Sequence, residues 1–214
     1  MNKEAHDELV SVMREMQKMT ADYGLGDVLV TLKMYNRANR DYFFINAWDC
    51  IPDDCLYKNW IEILSDCSRE NYRRMFNPRI IEKLRKFNKH ATVDSPLLQS
   101  LLDTDGLLTI YHGHAKKTMS GSYSWTTELE IAHFFGCRNS KFMGVDDYYV
   151  VSGKVRLEDV IAHITDRDEE EVVVLNKDVK RKTKELLKCS ETNDAYSNFD
   201  DVKAMIVKRS AVAT

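Results

Sequence analysis

The chain has 214 residues, of which 43% are hydrophobic and 30% charged, and a formal net charge of −3. That length supports one sizeable core, or a core with a helical appendage, while the slightly acidic balance excludes a global basic field and leaves nucleic-acid binding to local patches. Five cysteines at irregular spacings read as reduced thiols of a cytoplasmic protein, and without a charged-then-apolar leader or a spanning apolar run the chain is expected to be neither secreted nor embedded.

In chain order, residues 2–20 predict a first helix, with Leu9, Val12, Met13, Met16 and Met19 at helical spacing. Tyr23-Gly24-Leu25-Gly26-Asp27 breaks it. Residues 28–48 are apolar and aromatic, and their pattern leaves helix and strand open; Pro52-Asp53-Asp54 is a turn. Tyr57, Trp60, Ile61, Leu64 and Cys67 give a second helical stripe. Asn77-Pro78 predicts a capped helix through about Lys89, with Ile80, Ile81, Leu84 and Phe87 on one face and Arg79, Lys83, Arg85, Lys86 and Lys89 on the other. A basic helical face is usually only solvated. Ser95-Pro96 starts a short helical segment through Leu102, which Gly106 ends.

The apolar run Leu107, Leu108, Ile110, Tyr111 predicts a strand ending in His112-Gly113, with His114 two residues after His112. A glycine there lets a ligand approach the backbone. Ser124-Trp125-Thr126 predicts a second strand, with both hydroxyls on one face and the indole on the other. Glu169-Glu170-Glu171 runs into Val172-Val173-Val174, a β-branched buried strand, so that Glu169 and Glu171 are expected to share a face. The basic segment from Lys177 to Lys188 is expected as a helix with Val179, Leu186 and Leu187 as a thin apolar stripe. In the tail, Val202, Met205, Ile206 and Val207 fit either a last helix or an edge strand.

Each candidate has an ordinary counterpart. A lone histidine is usually a satisfied or exposed one, and His112 gains weight only from its context. His112 and His114 lack a third ligand at metal-site spacing, and Cys50, Cys55 and Cys67 have no zinc spacing, so no metal is expected. Trp125, Phe134 and Phe135 are ordinary packing residues, and the glutamates alone would be a charged turn. No G-x-S-x-G, P-loop or Rossmann glycine pattern occurs. Together, an imidazole, a backbone amide, hydroxyls and a carboxylate pair suit a polyhydroxylated cationic ligand such as nicotinamide dinucleotide.

These pieces, "YHG", "SWT" and "EEEVVV" in that order, resemble the motifs of the ADP-ribosyltransferases, closest to bacterial and phage members with a Y-[RH]-G … S-W-T … E-x-E pattern after a helical leader. "TTELEIAHFFG" resembles the helix after the serine-containing strand, and "VVSGKVRLEDVIAHITDRDEEEVVV" the strand–turn–strand that delivers the glutamates. The resemblance covers roughly residues 105–176. It implies an α+β fold, with a helical N-terminal region (1–104) leading into a split mixed β-sheet catalytic region (105–214). It further implies NAD as co-substrate: His112 on the adenosine ribose, the Gly113 backbone on the carboxamide, Ser124 and Thr126 beside the nicotinamide and orienting the glutamate, and Trp125 and Phe134 among the NAD-binding residues. Glu171 would bind the nicotinamide ribose and Glu169 would contact the acceptor. His at the first motif departs from the arginine-opening subgroup, and Ser-Trp-Thr departs from the tyrosine-containing His subgroup, which leaves the acceptor open. The resemblance points to a toxin or defence effector acting on RNA, with a protein side chain as the alternative acceptor and a neutralising antitoxin among its partners. Two other classes stand beside it: a binding module that kept the fold without the chemistry, and a transferase that removes an RNA 2′-phosphate, which would want a basic phosphate-binding set the motif strands lack.

Overall fold

The computed structural model describes residue 11, residues 40–51, 53–67, 69–87, 95–116, 123–165, 169–190, residue 196 and residues 198–212. The expected first helix, apart from Ser11, the Tyr23–Asp27 breaker and residues 28–39 lie outside the described residues. The chain forms two compact units, Met1–Lys89 and His90–Thr214, so the short helix after Ser95 belongs with the sheet and not with the helical leader of residues 1–104.

In the first unit, helix α1 (Arg40–Ala47) is followed by a 3-10 turn (Trp48–Cys50), α2 (Asp53–Asp66), α3 (Arg69–Met75) and α4 (Pro78–Phe87). The stripe that predicts α2 is apolar because it faces the core. Trp60 and Leu64 are buried with Phe44, Leu56, Ile63, Met75 and Ile80. Trp60 also donates its indole N–H to the Met75 carbonyl at 3.0 Å, which removes the cost of burying that polar group. The Asn77 side chain accepts from the Arg79 amide at 2.9 Å and thereby caps α4 as its Asn-Pro start implies. On the basic face of α4, Lys83 lies over the Trp48 ring.

The second unit is a six-stranded sheet with helices. After α5 (Pro96–Ser100) come β1 (Leu108–Ala115), β2 (Ser124–Thr126), α6 (Leu129–Phe142), β3 (Asp147–Val155), a 3-10 turn (Leu157–Asp159), β4 (Val160–Ile164), β5 (Glu171–Val174), β6 (Lys180–Lys188) and α7 (Phe199–Val212). The strand order is β4-β5-β2-β1-β3-β6. Every pairing is antiparallel, which corrects the expected mixed sheet to an antiparallel one among the described strands. The fold class is α+β.

A split is nonetheless present in the ladder. β1 pairs with β3 along its whole length, but with β2 at one position only, Tyr111 opposite Thr126. Two three-stranded halves, β4-β5-β2 and β1-β3-β6, therefore meet at a single register pair. One face of the sheet carries Leu108, Ile110, Trp125, Val151, Val172 and Val174, which form one apolar cluster with Leu98 of α5. The other face takes α6, whose Ala132 and Cys137 pack with Tyr148 and Val150. Helix α7 lies over α6 through Val202, which joins Ile131 and Phe134.

The segment expected as a basic helix is strand β6 at the sheet edge, with nearly every residue exposed. Its Lys, Glu and Leu content favours a helix intrinsically. Pairing with the otherwise open edge of β3 overrides that preference, because β3 would leave its backbone groups unsatisfied on that side. The tail resolves to a helix. The Asn198 side chain accepts from the Asp200 amide at 3.1 Å, and Asp200 and Asp201 sit in the first turn, where the macrodipole favours them. Among the described residues, no helix is long and apolar enough to cross a membrane.

Gly113 and Gly136 make the α6 seam possible. A Cβ on Gly113 would lie 1.7 Å from the Ala132 carbonyl oxygen, and one on Gly136 would lie 2.4 Å from the Tyr148 ring. The space beside Gly113 is thus filled by the helix and is not an approach route for a ligand side group, which corrects that part of the sequence expectation. Gly113→Ala should destabilise the protein at or above the upper end of the about 1–3 kcal/mol typical of overpacking, because backbone and not a flexible tip must move. Urea denaturation of the variant would measure it, and an unchanged midpoint would contradict the seam.

Candidate functional site

The motif residues gather where β1 and β2 part. Beyond Tyr111–Thr126 the ladder stops, and the next residue of β1, His112, turns its ring to the Ser124 backbone in a hydrogen bond. A side chain thus joins the two strands where backbone pairing ends. The His112 ring lies 5.5 Å from the Trp125 ring and 5.7 Å, nearly parallel, from that of His114. His114 lies 5.4 Å from Tyr149, and the Lys184 ammonium sits 3.5 Å from the Tyr149 centroid. One face of the sheet therefore carries a continuous row from the basic edge to the split: Lys184, Tyr149, His114, His112, Trp125.

Burial pushes the His112 imidazole down from 6.5 to about 4, with the neighbouring His114 acting in the same direction and the Ser124 backbone bond opposing both. A ring of this kind is neutral near pH 7. It can donate from one nitrogen and accept at the other, which suits sugar hydroxyls better than phosphate.

The carboxylate side is built by β2 and β5. Glu171 opens β5 and lies directly opposite Thr126, with Ile164 of β4 on its other side. Both Glu171 and Thr126 are buried. Because Tyr111 is in turn opposite Thr126, Tyr111, Thr126 and Glu171 form a row across the split on the face that takes α6. Tyr111 belongs to this row although its role is not assigned from sequence; its place in the "YHG" motif is the signal that could have found it.

The Thr126 hydroxyl is fully engaged. It donates to the Glu169 carbonyl at 2.8 Å and accepts from the Glu128 amide at 3.0 Å. It ties the end of β2 to the glutamate turn and to the start of α6, so its observed task is to orient that turn. Trp125 is buried in the apolar cluster, its indole nitrogen meets no partner, and its contact with the site is the ring contact to His112.

As expected for Ser124-Trp125-Thr126, strand alternation separates the indole from the hydroxyls: His112 and Trp125 lie on one face of the sheet and Ser124, Thr126 and Glu171 on the other, so the five residues do not line one wall. Phe134 is buried against α7, its ring 5.1 Å from Phe199, in the cluster of Ile131 and Val202. Its NAD-facing assignment is corrected to core, because the helical face that carries it is the one α7 covers. The shared face expected for Glu169 and Glu171 also fails as argued. Glu170 has φ 43, in the left-handed region, so the chain bends between them and alternation does not apply.

Because the folded His112 value lies below that of the unfolded chain, the folded state binds fewer protons there. Its stabilising contribution is full above about pH 6.5 and is lost as pH falls toward about 4; the loss is at most about 3 kcal/mol. His112→Gln should therefore flatten the decline of urea stability between pH 7 and 4.5 relative to the native protein. Parallel profiles would mean that the ring titrates as an ordinary histidine. Compared with known proteins, the chain matches no protein-family model, no curated protein and no solved structure.

Proposed function

We propose that the protein is a cytoplasmic NAD-dependent ADP-ribosyltransferase that moves ADP-ribose from NAD to a macromolecular acceptor and releases nicotinamide. The observation that carries this reading is the split itself. A neutral imidazole within β1 and a buried carboxylate at the start of β5 stand on either side of one register pair, and a ligand lodged there would touch groups from both halves of the sheet.

In this mechanism His112 holds the adenosine ribose by hydrogen bonding, and Trp125 backs that ring. Glu171 holds the hydroxyls of the nicotinamide ribose. As the glycosidic bond lengthens, its electron pair leaves with the pyridinium nitrogen, which becomes neutral, and positive charge develops on the ribose carbon. A carboxylate fixed beside that charge in a partly desolvated site lowers the barrier electrostatically. The acceptor nucleophile then attacks the same carbon and gives its proton to a base, the role assigned to Glu169. Thr126, through the Glu169 carbonyl, holds the two glutamates in order.

RNA is the preferred acceptor, with a protein side chain second. The support for RNA is edge strand β6, which presents Lys180, Arg181, Lys182, Lys184 and Lys188 to solvent. Several already have protein partners: Arg181 pairs with Asp105 at 2.9 Å, and Lys182 reaches Asn176. Lysine has three donors and keeps some for phosphate. A toxin or defence effector, held in check by an antitoxin, is the biological setting this chemistry suits.

Glu171→Gln should keep the fold and lose about 3–5 kcal/mol of transition-state stabilisation, roughly a hundred- to several-thousand-fold in rate. Nicotinamide release from NAD by the purified variant measures this, and near-native turnover would overturn the assignment. Charge reversal at Lys180, Arg181 and Lys184 should weaken labelling of RNA, most strongly at low salt and with a shallower salt dependence than the native protein, and leave nicotinamide release unchanged. The exposed Arg181–Asp105 pair is worth about 0–1 kcal/mol, so its loss is tolerable for the fold. Label from radioactive NAD that survives nuclease and disappears with protease would exclude RNA and assign the acceptor to protein.

A further inference from the structure

We infer that His163 is a positioning residue for the glutamate pair and acts through Glu170. The His163 Nε2 atom lies 3.0 Å from the Glu170 carboxylate, and the imidazole is only 8% exposed. His163 sits on β4 directly opposite Val172 of β5, so it belongs to a strand that pairs with the one Glu171 opens. Glu170, between the two glutamates of the reaction, has φ 43.

That backbone conformation normally calls for glycine or asparagine. A glutamate there has a conformational cost without local benefit, unless its side chain is needed. The His163 contact supplies the need. A buried imidazole whose nitrogen meets a carboxylate is also not generic core filling, since an apolar residue would fill the same space without a polar group to satisfy.

The rest of the turn is held as well. The Glu169 carbonyl accepts from the Thr126 hydroxyl at 2.8 Å, the Glu170 carbonyl accepts from the Thr127 amide at 3.3 Å, and Glu171 is paired on both sides. These bonds fix the backbone of the turn, from β2 and, at Glu171, from β4 as well. His163 adds to them a hold from β4 on the Glu170 side chain. Its release would let Glu170 relax toward the extended region, and the direction of Glu169 relative to Glu171 would change.

The inference rests on the ADP-ribosyltransferase reading for its catalytic meaning, and the experiment separates the two. The full chain would be assayed as the native protein, His163→Phe, His163→Gln, Glu170→Gly and the double variant His163→Phe/Glu170→Gly. Nicotinamide release from NAD would be followed alongside hydrogen exchange of the Thr127 and Glu171 amides. His163→Phe should lower kcat about ten- to a hundred-fold with little change in KM for NAD, and speed exchange at both amides. His163→Gln, which keeps an N–H donor, should restore most of both. Glu170→Gly accepts the backbone angle but lacks the carboxylate, so it should lose as much as His163→Phe, and the double variant no more than either.

A folded His163→Phe with native kcat and native exchange overturns the inference, as does a double variant whose losses multiply. If His163→Phe does not fold, the partly exposed Glu170 carries the test, and native kcat and exchange in Glu170→Gly would overturn it. If the native protein releases no nicotinamide, the transferase reading fails. Exchange rates alone then judge the hold: faster exchange in His163→Phe with rescue by His163→Gln supports it, and unchanged exchange overturns it.

Discussion

Everything about the site depends on how little of β1 pairs with β2. Tyr111 opposite Thr126 is the whole of their register, whereas β1 and β3 pair over eight positions, from Leu108–Val155 to Ala115–Tyr148. A fully laddered pair would have set the backbone groups of residues 112–114 and 123–125 against one another and closed the sheet. Where the ladder stops, the Ser124 backbone is met by the His112 ring, and the indole of Trp125, buried in the apolar cluster, lies beside that ring. The opening that makes a ligand site conceivable and the buried, neutral imidazole at its rim have the same origin.

Parts of this arrangement were legible in the chain because they rest on local rules. Asn77-Pro78 and Ser95-Pro96 announce helix starts through cap geometry that needs no tertiary context; the Ser95 side chain accepts from the Leu98 amide in α5. The valine run of β5 is legible because β-branched residues in a short burst have few alternatives to a buried strand, and Val172, Val173 and Val174 are all fully buried. The helix after Ser-Trp-Thr comes instead from the resemblance of its motifs and not from a local rule. The proposed NAD chemistry and its acceptor are not legible at this level, since both turn on which face a side chain takes.

The failures share a cause. Segment 180–188 looks helical to any local rule, and only the presence of the β3 edge makes it a strand. Gly113 looks like a ligand's opening, and only the arrival of Ala132 beside it reveals a helix seat. Phe134 could face the site until α7 is placed across it. Glu170 offers no local sign of its left-handed turn, because the residue that holds it, His163, is on another strand. In each case a partner distant in sequence sets the outcome, and spacing along the chain cannot name that partner.

The glycine seam between β1 and α6 has a mechanical meaning. Helix α6 packs on β1 and β3 far more than on β2, and at Gly113 it touches strand backbone directly. The half of the sheet that carries His112 is therefore stiffened by a helix with no side chain between to act as a cushion, whereas the half that carries Glu171 is laddered to it through one residue pair and otherwise held by the shared apolar cluster and the His112 ring. Compliance in such a body concentrates at its narrowest join. A ligand that touched both sides of that join would act as the missing rungs of the ladder.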